Sequence, residues 1–286
     1  MQFLVDLVEL TKPRLATLVL FTTGVGILVA PVDLPMVEAV EAMLLTAMVV
    51  ASGTTLNMYL ERDVDGLMRR TADRPLPTGR MSPRVALVFG VVLLLVSLPL
   101  LAWRVNLLTA GLGLMAWVVY LFAYTPLKRR SVAAVYVGAV PGATPVLMGW
   151  TAATGALEGP ALALFAILFL WQIPHFIAIS IFRRDEYDAA GLKVLPVEYG
   201  HRHSIWHMFG TCLGLIVASL LPILYHVGGP LYTITALLLA AGSLIGALWG
   251  MRPDSGPRWA RGYFFGTLIY LPVLLGVLVV DQFVRL

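Results

Sequence analysis

Nine long apolar runs divide the chain. They are 15–31, 42–60, 85–103, 107–124, 132–151, 161–182, 205–224, 231–249 and 263–280. A membrane-crossing helix needs about 20 predominantly apolar residues, with a range of about 17–25. The pattern therefore predicts nine transmembrane helices, the first of them short and the fifth interrupted by Pro141 and Pro145. The weakest division lies between the third and fourth runs, where only Trp103, Arg104 and Asn106 mark the break. Two of the polar connections are long, about 61–84 and 183–204. Each has the same order: acids, then basic residues, then a Leu-Pro pair, Leu76-Pro77 in one and Leu195-Pro196 in the other. That order, four spans apart, is compatible with a weak internal duplication.

Composition agrees with the pattern. The 286 residues are 59% hydrophobic and 13% charged, against about 25% charged in a soluble domain, and the mean hydropathy is +0.86. The fold class is thus an all-α polytopic membrane protein, with residues 1–286 forming one domain. The single cysteine, Cys212, excludes an intramolecular disulfide and a multi-cysteine metal cluster. No cleavable signal peptide is expected, because the first run lacks a small-residue cleavage site.

Charge orients the spans. All but Arg104 and Arg285 of the 20 Lys and Arg residues fall on the side of the N-terminus. Positive residues mark cytoplasmic loops, so the expectation is N-terminus in and C-terminus out. The basic pI of about 9.3 is explained by these loops, and nucleic acid is not needed as a partner.

The polar residues that carry chemistry collect on the cytoplasmic side. Asn57, Glu61 and Asp65 are four apart, which advances each by about 40° and puts all three on one helix face. Oxygen ligands in that arrangement suit a hard cation such as Mg²⁺, usually held by one or two carboxylates plus substrate phosphates. Asp63 points elsewhere. Arg62, Arg69, Arg70 and Arg74 follow, and guanidinium groups bind phosphate oxygens in pairs. A merely solvated loop is the plain alternative, but intramembrane polar residues are costly and usually functional. The second cluster, Arg183 to Asp188, is either a second cation site or a charged helix end. The patch at Tyr124, Lys128, Arg129 and Arg130 binds either phosphate or anionic headgroups, and Lys12 and Arg14 form a similar feature. His175, deep in the sixth run, is open to three readings: a packing residue, a proton carrier or an axial ligand to a haem-type iron. His201, His203 and His207 have no carboxylate partner fixed by spacing, which argues against a metal site there.

Taken together, these motifs resemble the UbiA superfamily of intramembrane prenyltransferases and, within it, the branch that farnesylates haem. The first motif is Asn57, Glu61 and Asp65, trailed by Met68-Arg-Arg-Thr71 and Arg74-Pro75. The haem branch is carried by Thr11-Lys-Pro-Arg14, Tyr124-Thr-Pro-Leu-Lys-Arg129, Gly142 to Trp150, Trp171-Gln-Ile-Pro-His175-Phe and Val194-Leu-Pro-Val197. Glu61 stands where the superfamily usually has Asp. The usual second pair of Asp is replaced by Arg183 and Tyr187, with Asp185 and Glu186 between them as the remaining candidates for a second metal.

The resemblance implies a central cavity open to the cytoplasm and an integral protein of a bacterial-type inner membrane. It implies farnesyl diphosphate as donor, haem b as acceptor and Mg²⁺ as cofactor on Asn57, Glu61 and Asp65. Lys12, Arg14, Arg69, Arg74, Tyr124, Lys128 and Arg129 would bind diphosphate, and His175 would bind haem. Membrane lipid is a further partner, as are haem A synthase or terminal-oxidase assembly factors. A quinone-precursor or chlorophyllide acceptor is the rival reading. A transporter is more distant, because it expects charges at midplane depth.

Overall fold

The computed structural model describes residues 1–284, so Arg285 lies outside the described residues. These are helical with no strand. The order is α1 (Gln2–Leu10), α2 (Pro13–Val29), α3 (Met36–Asp65), α4 (Pro83–Leu100), α5 (Leu107–Val118), α6 (Thr125–Leu127), α7 (Ala134–Thr154), α8 (Gly159–Phe182), α9 (Arg184–Ala189), α10 (Leu195–Glu198), α11 (Gly200–Leu224), α12 (Pro230–Trp249) and α13 (Pro257–Val284). Wider π turns, Leu101–Val105 and Val119–Tyr124, prolong α4 and α5.

Each apolar run overlaps one of the long helices. Among the described residues, seven helices are long and apolar enough to cross a membrane, or eight if α1 and α2, bent by 49°, count as one span. The nine expected spans are therefore reached only in part. α7 is not among the seven; the interruption expected at Pro141 and Pro145 does not occur, and both prolines lie inside one continuous helix. Proline removes a backbone donor within a helix, and such helices persist in membranes when neighbours cover the freed groups. α7 has that cover, being packed against α2, α5 and α8. Its closest neighbour is α2. A Cβ on Gly149 would collide with the Thr23 carbonyl, and one on Gly26 with the Val146 carbonyl, so these glycines let the backbones touch.

The main core joins α2, α7, α8, α11, α12 and α13 around Trp150, Ile167, Tyr232 and Leu274. Cys212 is buried in a second, smaller core with Ile205, Met208, Ala247 and Ala260. At one end of the main core Asp281 of α13 caps a neighbouring helix: its Oδ2 accepts the Tyr232 N–H, 3.1 Å away in the first turn of α12.

Candidate active site

A cavity of about 520 Å³ opens among α2, α3, α5, α7 and α8. Its charged mouth is built where several helices end together. α3 brings Asn57, Glu61 and Asp65; the break before α2 brings Lys12; the segment after α6 brings Lys128; the loop after α3 brings Arg70 and Arg74. Deeper, the walls turn apolar with Val49, Ala116, Met148, Leu168 and Leu271.

The three α3 residues share one face, as their spacing requires, and all are buried, with Asp65 only 3% exposed. Buried charge is tolerated only when paired. Lys128 Nζ lies 2.6 Å from Glu61 Oε2, and Arg74 Nη1 lies 2.7 Å from Asp65 Oδ2. Asn57 Nδ2 donates to Glu61 Oε2 at 2.8 Å and to Thr125 Oγ1 at 3.0 Å. The Tyr120 hydroxyl donates to Asn57 Oδ1 at 3.3 Å. Each carboxylate thus spends one oxygen on a cation. Glu61 Oε1 and Asp65 Oδ1 receive no hydrogen bond from the described residues and stay reachable from the cavity.

That donor set fits Mg²⁺ shared with a phosphate ligand: two free carboxylate oxygens and one amide oxygen on one face. It does not fit an all-protein cage, since no group of three or more His, Cys, Asp or Glu residues suited to a metal occurs among the described residues.

The π turn at Val119–Tyr124 sets the facing wall. Thr125 Oγ1 donates to the Tyr120 carbonyl at 2.9 Å, which partners a backbone oxygen in the turn. Tyr120 and Tyr124 stack at 5.5 Å, and Lys128 Nζ sits 4.9 Å from the centre of the Tyr124 ring. Burial works against the Lys128 ammonium, but Tyr124 and the Glu61 carboxylate outweigh it and hold its pKa above the ordinary lysine value. Lys12 takes a left-handed backbone conformation, φ 51°, at the break before α2. Burial, helped by the Arg74 and Lys128 charges, pulls the Lys12 pKa down to about 7.

His175 lines the cavity from α8. Thr267 Oγ1 donates its hydrogen to the Phe264 carbonyl at 2.6 Å and so accepts from His175 Nδ1 at 2.7 Å. The proton then sits on Nδ1, and Nε2 keeps its lone pair. Trp171 stacks on the imidazole at 5.0 Å, and Phe264 lies at 4.9 Å.

The structure thus gathers Lys12, Asn57, Glu61, Asp65, Arg74, Tyr124, Lys128 and His175 around one cavity. It leaves Arg14, Arg69 and Arg129 exposed and outside the lining. Asp185 is exposed and Glu186 pairs with Arg183 at 2.9 Å; neither lines the cavity, whereas Tyr187 does. His203 and His207 face each other at 3.2 Å, away from the cavity. Sequence reasoning missed Tyr120, Gln172 and Lys193. Tyr120 lies four residues before Tyr124, a signal that was available. Lys193 donates its backbone N–H to the Lys128 carbonyl at 2.8 Å, a long-range contact that spacing does not reveal.

A family model for the UbiA prenyltransferase family matches residues 19–269. The protoheme IX farnesyltransferase of Myxococcus xanthus (strain DK1622) is 49% identical over 98% of this chain and 95% of its own length. That of Anaeromyxobacter sp. (strain Fw109-5) is 45% identical over 96% and 92%. Among solved structures, a digeranylgeranylglyceryl phosphate synthase superposes with a TM-score of 0.84 at 17% identity, covering 98% of this chain and 99% of that one. A UbiA homologue from Archaeoglobus fulgidus bound to DMAPP and Mg²⁺ gives 0.69 at 20%, covering 96% and 99%. At such identities the structural likeness speaks for the fold.

Proposed function

This chain belongs to the UbiA prenyltransferase family, and from that membership we propose that it transfers the farnesyl group of farnesyl diphosphate to a vinyl group of protohaem IX (haem b). Water is added in the same reaction, and the product, haem O, serves terminal-oxidase biogenesis. The observation that carries the acceptor is the full-length identity to protoheme IX farnesyltransferases. It extends through the wall that holds His175, where a more distant prenyltransferase would share only the fold.

The donor half follows from the mouth. Asn57, Glu61 and Asp65 would hold Mg²⁺, and the Mg²⁺ in the Archaeoglobus homologue supports this reading. When bound, the ion neutralises diphosphate charge and favours its departure. Lys12, Arg70, Arg74 and Lys128 bind the remaining oxygens, already in place as the charge develops. Tyr124 orders Lys128 beneath its ring. The farnesyl tail lies along the apolar wall, which keeps water from the allylic cation. Cleavage of the C1–O bond needs no general base, and the vinyl π electrons attack C1. His175, with Nε2 open to the cavity, contacts the haem iron or a propionate. Arg14, Arg69 and Arg129 face outward and meet anionic lipid headgroups.

In the same reading all nine apolar runs cross a bacterial-type inner membrane, with α7 protected by its neighbours, and the mouth faces the cytoplasm. The test of function is a competition in nanodiscs. Purified protein receives farnesyl diphosphate, Mg²⁺ and equal amounts of haem b and an aromatic quinone precursor. Only the haem should gain the farnesyl group. Prenylation of the aromatic acid instead would overturn the acceptor.

A further inference from the structure

The reaction consumes a water in a cavity built to exclude water from its first cation. One side chain below the mouth is placed to hold that molecule. Gln172 lines the cavity and is only 7% exposed. Its Nε2 donates to the Leu168 carbonyl at 3.0 Å and to the Ala139 carbonyl at 3.3 Å. Two acceptors on the nitrogen fix the orientation of the amide. Oε1 receives no hydrogen bond from the described residues, yet it is reachable from the cavity. Gly142 makes this placement possible, because any Cβ there would collide with Oε1. Two other polar groups of the lining are spent, Trp117 Nε1 donating to Ser52 and the Tyr120 hydroxyl to Asn57, and the open Nε2 of His175 is the one assigned to haem.

Depth places this oxygen beside the chemistry. A Cβ on Gly138 would lie 2.6 Å from the Tyr124 ring, level with Lys128. Gly142 is four residues further along α7, about 6 Å deeper. Gln172 is therefore roughly one helical turn below the diphosphate site. It also precedes His175 by three residues, so the two share a face of α8.

We propose that the Gln172 side-chain carbonyl accepts a hydrogen bond from the water that hydroxylates the haem, and aims that water's lone pair at the vinyl carbon. The proposal rests on the haem-farnesylating reading above. The farnesyl C1–O bond breaks, its electron pair leaving on diphosphate. The outer vinyl carbon forms the new C–C bond, and positive charge passes to the vinyl carbon attached to the ring. Water oxygen bonds to that carbon, and its surplus proton goes to the released diphosphate. An amide suits the task because it is neutral and does not capture the first allylic cation. Without a held water, the second cation loses a neighbouring proton and gives an alkene, lighter than the alcohol by one water.

Product identity tests this, because a structural role for Gln172 would not alter it. Gln172→Leu, Gln172→Met and Gln172→Glu are compared with wild type in nanodiscs, with haem products resolved by liquid chromatography and mass spectrometry. In whichever apolar variant inserts, the alcohol-to-alkene ratio should fall by about tenfold or more, the loss of one buried hydrogen bond. Gln172→Glu, kept in its neutral acid form by burial against two backbone carbonyls, still has one donor and one acceptor oxygen and should retain the alcohol. An unchanged ratio in the apolar variant overturns the proposal. So does a variant that binds haem like wild type but makes neither product, since Gln172 would then be needed for C–C bond formation. A wild type that forms no farnesylated haem would instead defeat the underlying function.

Discussion

In the proposed donor site Asp65 would join the cationic and metal-binding halves, because one oxygen takes Arg74 and the other stays open to the cavity. Removing the carboxylate leaves Arg74 partly exposed to water, so the fold should survive. Asp65→Ala should insert normally and lose about 100-fold or more in turnover, the scale of one lost electrostatic stabiliser. Near-normal haem farnesylation by the purified variant would contradict this. Lys12 gives a pH signature. Its pKa of about 7 means the ammonium is present below that pH and is lost as pH rises through it. For the free enzyme, kcat/KM for farnesyl diphosphate should therefore fall above pH about 7. In Lys12→Met that limb should vanish, while the substrate's own ionisation is the same for both proteins. The spacing of Asn57, Glu61 and Asp65 made their common face legible, since a helix period needs no tertiary information. The partners of Asn57 and Glu61, which are Tyr120, Thr125 and Lys128, lie more than sixty residues away, and nothing local encodes that pairing.

Elements follow the same division. The apolar runs announced the long helices, because a segment in lipid must satisfy its backbone internally. α1 went unannounced: nine residues are too few for a span, and its Phe3, Leu4 and Val8 remain exposed. Ion pairs from Arg80 to Asp6 and Glu9 tie it to the loop after α3. The contact of Gly26 with α7 was equally hidden, as a glycine in an apolar run reads as any small residue. Asp281 shows how an acid near the end of a span finds a structural use. It caps the first turn of α12, so Asp281→Ala should lower stability by about 1–2 kcal/mol. The expected signature is a lower thermal midpoint in detergent with unchanged kcat, and a fall in kcat alone would contradict the structural role.

At the scale of the whole molecule, helix ends converge on one mouth, the side on which the sequence gathers its positive loops, which is the basis for proposing that the mouth faces the cytoplasm. The all-helical membrane class was readable from hydropathy, and the charge pattern supplies the orientation that a reporter would test. The span count was less so, because α7 relies on its neighbours and not on its own apolarity. A reporter fused after Leu286 should register the outer side, and a cytoplasmic signal would break the nine-span topology. The central claim is that this chain farnesylates haem b, and the most direct measurement is mass spectrometry of haems extracted from cells. Cells lacking the chain should contain haem b and no hydroxyethylfarnesyl haem, and restoring the wild-type chain, but not Asp65→Ala, should bring that product back. Haem O in the lacking strain, or none after restoration, would contradict the account.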